Sequence, residues 1–441
     1  MPDHATSTDD AVQRQLDRLW ALGPGADTLG LDRITRLLAR LGDPHLRLPP
    51  VLHVAGTNGK GSTCAFLRAA IEAAGLTAHV YSSPHLVRFN ERIRLAGHLI
   101  DDRLLATLLE EVLDIGGDIG ASFFEVTTAA AFLAFARTPA DACVIEVGLG
   151  GRLDATNVIR APAACAIAQL GIDHQAFLGD TAEAIAGEKA GIAKPGVPLV
   201  TMAYEPDIAS RIAKVAHAAG APVLARGDAW DFGIAEGRLH YRDARGTLAL
   251  PLPALAGPHQ PANFALAIAT LRHQRALRLP DKALEAAAAI ARWPARMQRL
   301  SPGPLTDMLP AGSQLWLDGG HNEAAARSVS AALAGITGDR PVHLVLGMLA
   351  NKDIAGLLAP FAPLTTSLTA VPVPGHVHHD SAAIVDLARA MGIPEAAPAT
   401  DVRSAIGQIA AGATARPPIV LILGSLYLAG AVLAANGEVP D

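Results

Sequence analysis

One segment limits what this chain can fold into more than any other. Val51-Leu52-His53-Val54-Ala55 is an apolar, partly β-branched run, and Gly56-Thr57-Asn58-Gly59-Lys60-Gly61-Ser62-Thr63 follows it directly. From Ala65 to Ala74 the sequence reads Ala-Phe-Leu-Arg-Ala-Ala-Ile-Glu-Ala-Ala. The first part predicts a buried strand and the last a helix. Strand, glycine-rich turn and helix together form the setting of a phosphate-binding loop. Backbone without Cβ atoms can curl around a polyphosphate, and the helix N-terminus adds positive potential there. Thr57, Asn58, Gly59, Lys60, Gly61 and Ser62 are therefore the candidate nucleotide-binding residues. Lys60 is expected to reach the β- and γ-phosphates, and the Ser62 hydroxyl to hold Mg²⁺. The pattern departs from G-x-x-x-x-G-K-[ST], because Gly61 separates Lys60 from Ser62. An ordinary glycine turn is the competing explanation, which the lysine and the two hydroxyls outweigh.

The 441 residues exceed one typical core and imply two or three domains. With 50% hydrophobic and 18% charged residues the chain is globular, and a net charge of -6 argues against a nucleic-acid partner. Cys64, Cys143 and Cys165 are scattered, without metal-ligand spacing, as expected of buried thiols in a reducing cytoplasm. The start, Met1-Pro-Asp-His-Ala-Thr-Ser-Thr-Asp-Asp, is polar and acidic rather than signal-like. Residues 417–437 carry no charge and mimic a membrane span. A strand at Ile419–Leu423, a turn at Gly424-Ser425 and a separate helix from Leu426 explain the same hydropathy, so no membrane partner is expected.

Short apolar strands alternate with helices throughout. Residues 9–22, 32–41 (capped by Asp32), 101–114, 125–136 and 183–190 read as helices. Strands are expected at 79–81, 142–148, 164–170 and 198–201. That alternation predicts a mostly parallel, helix-covered sheet with its site at the carboxyl edge. Lys60, Ser83, Glu146 and His174 each end or follow an apolar run. Residues 225–253 read as a β-hairpin insertion, followed by one long alanine-rich helix. A break near Trp293–Arg296 divides a phosphate-loop domain, 1–296, from a smaller Rossmann-like α/β domain, 297–441. The latter has expected strands at 314–317, 342–346, 368–373 and 419–423.

Five motifs then occur in order: Gly56-Thr-Asn-Gly-Lys-Gly-Ser-Thr, Ser83-Pro-His-Leu, Glu146-Val-Gly-Leu-Gly-Gly-Arg-Leu-Asp-Ala-Thr-Asn, Gly187-Glu-Lys-Ala-Gly-Ile and Leu317-Asp-Gly-Gly-His-Asn. As an ordered set they resemble the folylpolyglutamate synthase/dihydrofolate synthase family of the Mur-ligase superfamily, from about Gly30 to Gly424-Ser-Leu-Tyr-Leu. The resemblance implies an ATP-dependent carboxylate–amine ligase of Mur-ligase architecture. It implies metal ligands Ser83, Glu146, His174 and Lys189, the last carbamylated by CO₂, around one or two Mg²⁺ ions. Lys60, His174 and Lys189 become the catalytic candidates. Asn263, Arg296, Asp318 and His321 match residues that hold ATP, sandwiched between the domains. Ser122, Phe124, Glu125, Leu153, Asp154 and Ala155 match positions that contact a pterin. Where the family usually has Pro-Gly-Arg-x-Glu, this chain has Pro294-Ala295-Arg296-Met297-Gln298.

The implied reaction adds L-glutamate to dihydropteroate, to tetrahydrofolate, or to both, through an acyl phosphate, in a monomer. A folylpolyglutamate synthase with one activity is the alternative. A cell-wall Mur ligase is disfavoured because only 55 residues precede Gly56. A phosphate-loop switch or membrane-associated ATPase does not need the other four motifs.

Overall fold

The computed structural model describes residues 6–22, 29–412 and 416–441, so Met1 to Ala5 of the polar N-terminus lie outside the described residues. The chain forms two compact units. One comprises Met1–Ala254, Gln260–Arg292 and the terminal Asp441; the other comprises Leu255–His259 and Trp293–Pro440.

The first unit is built on eight strands: β1 (Val51–Ala55), β2 (Ala78–Tyr81), β3 (Ile93–Leu95), β4 (His98–Leu99), β5 (Ala142–Glu146), β6 (Ala164–Ile167), β7 (Leu199–Thr201) and β8 (Val223–Ala225). They lie in the order β4-β3-β2-β5-β1-β6-β7-β8. The run from β2 to β8 is parallel, and the β3–β4 edge is antiparallel. β1 and β5 are buried at every position, as strands covered on both faces must be. On one face Val51, Cys143 and Ile145 join the helices Asp102–Gly116 and Phe123–Arg137 in a common core. The helix Lys60–Ala73 packs on the helix Gln260–His273, with the Phe66 and Phe264 rings 5.0 Å apart.

Several expectations need correction. The insertion is a three-stranded meander, β9 (Trp230–Ala235), β10 (Arg238–Asp243) and β11 (Gly246–Pro251), rather than a hairpin. Its apolar face holds together because Trp230 stacks on Tyr241 at 6.0 Å. The long alanine-rich helix is two helices, Gln260–His273 and Asp281–Ile290. Between them the Gln274 side chain bonds the Leu271 and Leu277 carbonyls and the Leu277 amide, replacing helical bonds. Asp32 is the first residue of its helix, not its cap; Leu31 takes that place without a side-chain bond.

The second unit carries β12 (Gln298–Arg299), β13 (Gln314–Leu317), β14 (Val342–Leu346), β15 (Ser367–Ala370), β16 (Glu395–Pro398) and β17 (Ile419–Leu423), in the order β12-β13-β17-β14-β15-β16. All but β12 run parallel. β12 and β16 were not expected, being too short or too polar for an apolar run, and β15 ends at Ala370 rather than 373. Arg296, read from the sequence as the last residue of the first domain, lies in the second unit. The pairing of Gln298 with Leu317 and the Gly319 amide on the Ala295 carbonyl, 3.0 Å, tie it there. The uncharged stretch resolves into β17 and the helix Leu426–Asn436 capped by Ser425. No helix among the described residues is long and apolar enough to cross a membrane.

A buried ion pair helps anchor the meander to the helix Gln260–His273. Arg272 donates from Nε and Nη2 to the Asp243 carboxylate at 2.7 and 2.8 Å, and the Asp243 side chain has no exposed surface. Arg272→Ala leaves that buried carboxylate without its guanidinium, held only by the Tyr241 hydroxyl and the Arg245 amide, so a loss of about 3 kcal/mol is expected in denaturant unfolding. A loss below about 0.5 kcal/mol, the range of ordinary surface changes, would show that the pair does not anchor it.

Candidate functional site

Four neighbouring parallel strands, β2, β5, β1 and β6, deliver their carboxyl ends side by side. After β2 comes Ser83, at the end of β5 stands Glu146, after β1 comes the glycine loop, and after β6 comes His174. The edge expected of a parallel sheet is thus built from adjacent strands.

The loop is held from both sides. The Thr57 and Asn58 amides donate to the Gln169 carbonyl at 2.9 and 3.0 Å, and the Thr57 hydroxyl donates to the Gly171 carbonyl at 3.0 Å. The helix then begins at Lys60, so Lys60, Gly61 and Ser62 occupy its first turn, whose amides a helix leaves without internal acceptors. Gly59 precedes it at φ 82°, and a Cβ there would lie 2.4 Å from Asn263 Oδ1. Both the left-handed backbone and this approach require glycine. Asn263 donates to Gln260 Oε1 at 3.2 Å, and Gln260 Nε2 donates to Ser62 Oγ at 3.3 Å. Gln260, fully buried, is a loop-positioning residue the sequence reading missed.

Two lysines converge on one carbonyl. Lys60 Nζ donates to Gly56 O at 3.1 Å and to Thr57 O at 3.4 Å, and Lys189 Nζ donates to Gly56 O at 2.9 Å. Lys189 is 5% exposed. Burial, then repulsion from Lys60, lowers its pKa to about 7, against partial support from Asp173 and Asp154. Gly151 permits this placement, because a Cβ there would meet the Glu188 and Lys189 carbonyls at 2.8 and 2.9 Å. Arg152 completes the clasp, with its amide on Glu188 O at 2.8 Å and its guanidinium on the Glu188 carboxylate.

Glu146 pairs in register with Val54 of β1 and is 5% exposed. Burial, and then the Glu146 charge, push the Cys64 thiol well up. Ser83 is half-buried. His174 is exposed at φ 54°, preceding the short helix Gln175–Leu178. Among the described residues no group of three or more His, Cys, Asp or Glu is arranged to hold a metal ion.

The expected pterin-side residues divide. Ser122 caps the helix Phe123–Arg137, and Glu125 closes the capping box by accepting the Ser122 amide at 2.7 Å and Arg33 Nε at 2.9 Å. Both side chains are engaged in holding the helix end. Phe124 is half-exposed, with its ring beside Gly148 and 6.0 Å from Tyr81. Phe123 is partly buried to the same degree and stacks on Trp20 at 5.2 Å. Leu153 is half-buried and Ala155 is buried in the adjoining loop. Asp154 is 2% exposed and accepts from the Leu149 amide at 2.8 Å, the Thr156 amide at 3.0 Å, the Thr156 hydroxyl at 2.5 Å and the Gly148 amide. These four donors fill its acceptor capacity, so contact with a pterin requires one of them to give way. Thr156 Oγ1 in turn lies 2.9 Å from Nε2 of His53, a fully buried β1 residue whose pKa burial lowers to about 3. Because the Thr156 hydroxyl donates to Asp154, the neutral His53 ring donates from Nε2. No sequence motif pointed to this relay, since it joins residues 103 apart.

In the second unit Arg296, Asp318 and His321 gather around Gly319 and Gly320. Asp318 accepts the Met297 and Gly320 amides, each at 2.7 Å, and His321 Nδ1 lies 2.9 Å from Gly319 O. His259, brought back by the Leu255–His259 segment, is close enough to feel the Asp318 and Arg296 charges; burial nonetheless lowers its pKa. Ala295 sits at φ 53°, in the left-handed region that favours glycine. Gln298 Oε1 accepts the Ala295 amide at 2.9 Å, an acceptor role that a glutamate fills equally.

Residues 304–426 match the model of the Mur ligase, glutamate ligase domain. The curated dihydrofolate synthase/folylpolyglutamate synthase of Escherichia coli K12 is 38% identical over 333 residues, 75% of this chain and 74% of that protein. The solved structure of E. coli FolC in complex with DHPP and ADP superposes with a TM-score of 0.85 at 33% identity, covering 97% of this chain and 98% of that one. A bifunctional folylpolyglutamate synthase/dihydrofolate synthase with Mn, AMPPNP and L-glutamate bound gives 0.84 at 34% identity, covering 97% and 99%.

The loop geometry makes a direct prediction. Gly59→Ala adds left-handed strain and a clash with Asn263, so affinity for a nucleoside triphosphate should fall about tenfold or more by calorimetry. Unchanged affinity would remove this loop from the nucleotide site.

Proposed function

The chain belongs to the dihydrofolate synthase/folylpolyglutamate synthase family of ATP-dependent ligases, and from that premise we propose that it joins L-glutamate both to dihydropteroate and to tetrahydrofolate. The observation that carries this reading is the carboxyl edge, where adjacent strands present Ser83, Glu146, the loop from Gly56 and His174 around two lysines that share the Gly56 carbonyl.

A carboxylate becomes reactive toward an amine only when one oxygen is made a leaving group. The substrate carboxylate attacks the γ-phosphorus of ATP, its new O–P bond replacing the bond to ADP. The α-amine of glutamate then attacks the acyl carbon, the C–N bond forms, and inorganic phosphate leaves with the former carboxylate oxygen. Both reactants of the first step are anions, so its cost lies in bringing them together. The first-turn amides of the helix and Lys60 neutralise the triphosphate. Lys60 now folds back on Gly56 and Thr57, within reach of that position by rotation of its side chain. Ser83, Glu146, His174 and Lys189 would hold one or two Mg²⁺, which supply charge neutralisation between carboxylate and triphosphate. The hydroxyl and carboxylate oxygens suit a hard cation.

An unmodified lysine does not suit it, and carbamylation resolves the conflict: the neutral amine attacks CO₂, a C–N bond forms, one proton leaves, and a carbamate anion replaces the cation. The depressed pKa of Lys189 supplies the neutral amine near pH 7. Asn263, Arg296, Asp318 and His321 are assigned to the nucleotide on the family resemblance. Of the pterin-side residues, Ser122, Glu125, Leu153, Asp154 and Ala155 shape the pocket wall, and the partly buried Phe124 ring, beside Gly148, is suited to stack on a flat heterocycle. We take the enzyme to be a cytoplasmic monomer.

The test is ADP release with Mg²⁺, ATP and L-glutamate, comparing dihydropteroate with tetrahydrofolate. Turnover with both is expected, and Lys60→Ala should lower it by about 100-fold or more. Turnover with only one acceptor would reduce the assignment to a single activity. None with either, from folded protein that binds ATP, would overturn the folate assignment.

A further inference from the structure

The unit that holds the phosphate loop has a second cleft, of about 480 Å³, and none of the residues lining it belongs to the site described above. It is formed by Arg245, in the turn between β10 and β11, and by the link between the helices Gln260–His273 and Asp281–Ile290. Four arginines line it, Arg245, Arg272, Arg275 and Arg278. Arg272 is committed to Asp243 and reaches Asp281 at 3.6 Å. Arg245, Arg275 and Arg278 are exposed and make no ion pair among the described residues, and Asp281 is the carboxylate that also lines the cleft. Leu271, Leu277 and Leu284 give the cleft an apolar wall.

This clustering calls for an explanation in a chain whose net charge is -6. Three exposed guanidinium groups around one concavity repel one another. Each is a planar fork suited to two oxygens of a phosphate or carboxylate. The volume lies in the range of small-molecule sites, and the overall negative charge disfavours nucleic acid.

We propose that this cleft binds a small oxyanion carrying two or more phosphate or carboxylate groups, at a site separate from the carboxyl edge of the sheet. The arginines grip the anionic groups, and the leucines cover an apolar portion when the ligand has one. The proposal stands independently of the folate assignment, because it uses none of the same residues.

Calorimetry at low salt tests it, with inorganic tripolyphosphate and tri-γ-glutamate as probes. The Lys60→Ala chain is used, so that phosphate-loop binding does not obscure the signal. One-site binding of at least one probe is expected, weakened about tenfold or more in the added Arg245→Ser/Arg275→Ser/Arg278→Ser variant and by raised salt. Binding of tripolyphosphate alone would identify phosphate as the ligand chemistry, and of tri-γ-glutamate alone, carboxylate. Arg272 is retained because it holds the meander. Arg278→Ser alone, on the exposed link, gives an independent reading should the triple variant misfold. Failure of both probes to bind, or binding unaltered by the substitutions, would overturn the proposal.

Discussion

The Gly56 carbonyl is the point on which the catalytic edge depends. It receives Lys60 and Lys189 together, at 3.1 and 2.9 Å. Two ammonium groups cannot share one carbonyl in a buried setting without cost, and the charge of Lys60 lowers the proton affinity of Lys189. The arrangement is stable in two ways: with Lys189 neutral, or with anions drawn in to balance both cations. The proposed ligase reaction would use the second, and the proposed CO₂ capture by Lys189 the first.

That geometry is enforced from behind the sheet. Lys189 stays in place because Gly150-Gly151-Arg152 crosses the end of its helix at backbone contact distance, with Arg152 clasping Glu188. The same loop is tied internally by Asp154 and, through Thr156, to His53 in β1, the strand that leads into the phosphate loop. A buried, uncharged histidine thus links the strand that leads into the phosphate loop to the loop that locks Lys189. Movement at either is opposed by the loss of hydrogen bonds that no water can replace.

The sequence made some of this legible and concealed the rest for physical reasons. Strands buried on both faces read as apolar runs, so β1, β5, β14 and β17 were evident, as were polar residues placed just beyond such runs. Strand β16, Glu395-Ala-Ala-Pro, lies at a sheet edge and has no such signature. Nor does a short polar strand such as β12. The meander was under-read because Trp230-Asp-Phe-Gly does not announce a strand until it pairs with β10. Ser122 and Glu125 fit a ligand motif and a capping box equally well at the level of sequence, and only the Arg33 partner separates the two. Gln260, His53 and Thr156 act through contacts distant in the chain, which no local pattern encodes. The depressed pKa of Lys189 is likewise invisible in Gly187-Glu-Lys-Ala, where an exposed helical lysine would read the same.

The central claim is that Lys189 is a neutral amine near physiological pH, ready to take up CO₂. Carbon-13 NMR of the folded protein with Mg²⁺ and labelled bicarbonate measures this directly. The account predicts one carbamate resonance that grows as pH rises through about 7, as the amine loses its proton, and that is missing from Lys189→Met. A folded protein that shows no carbamate resonance, with Lys189 titrating in the ordinary lysine range, would contradict it.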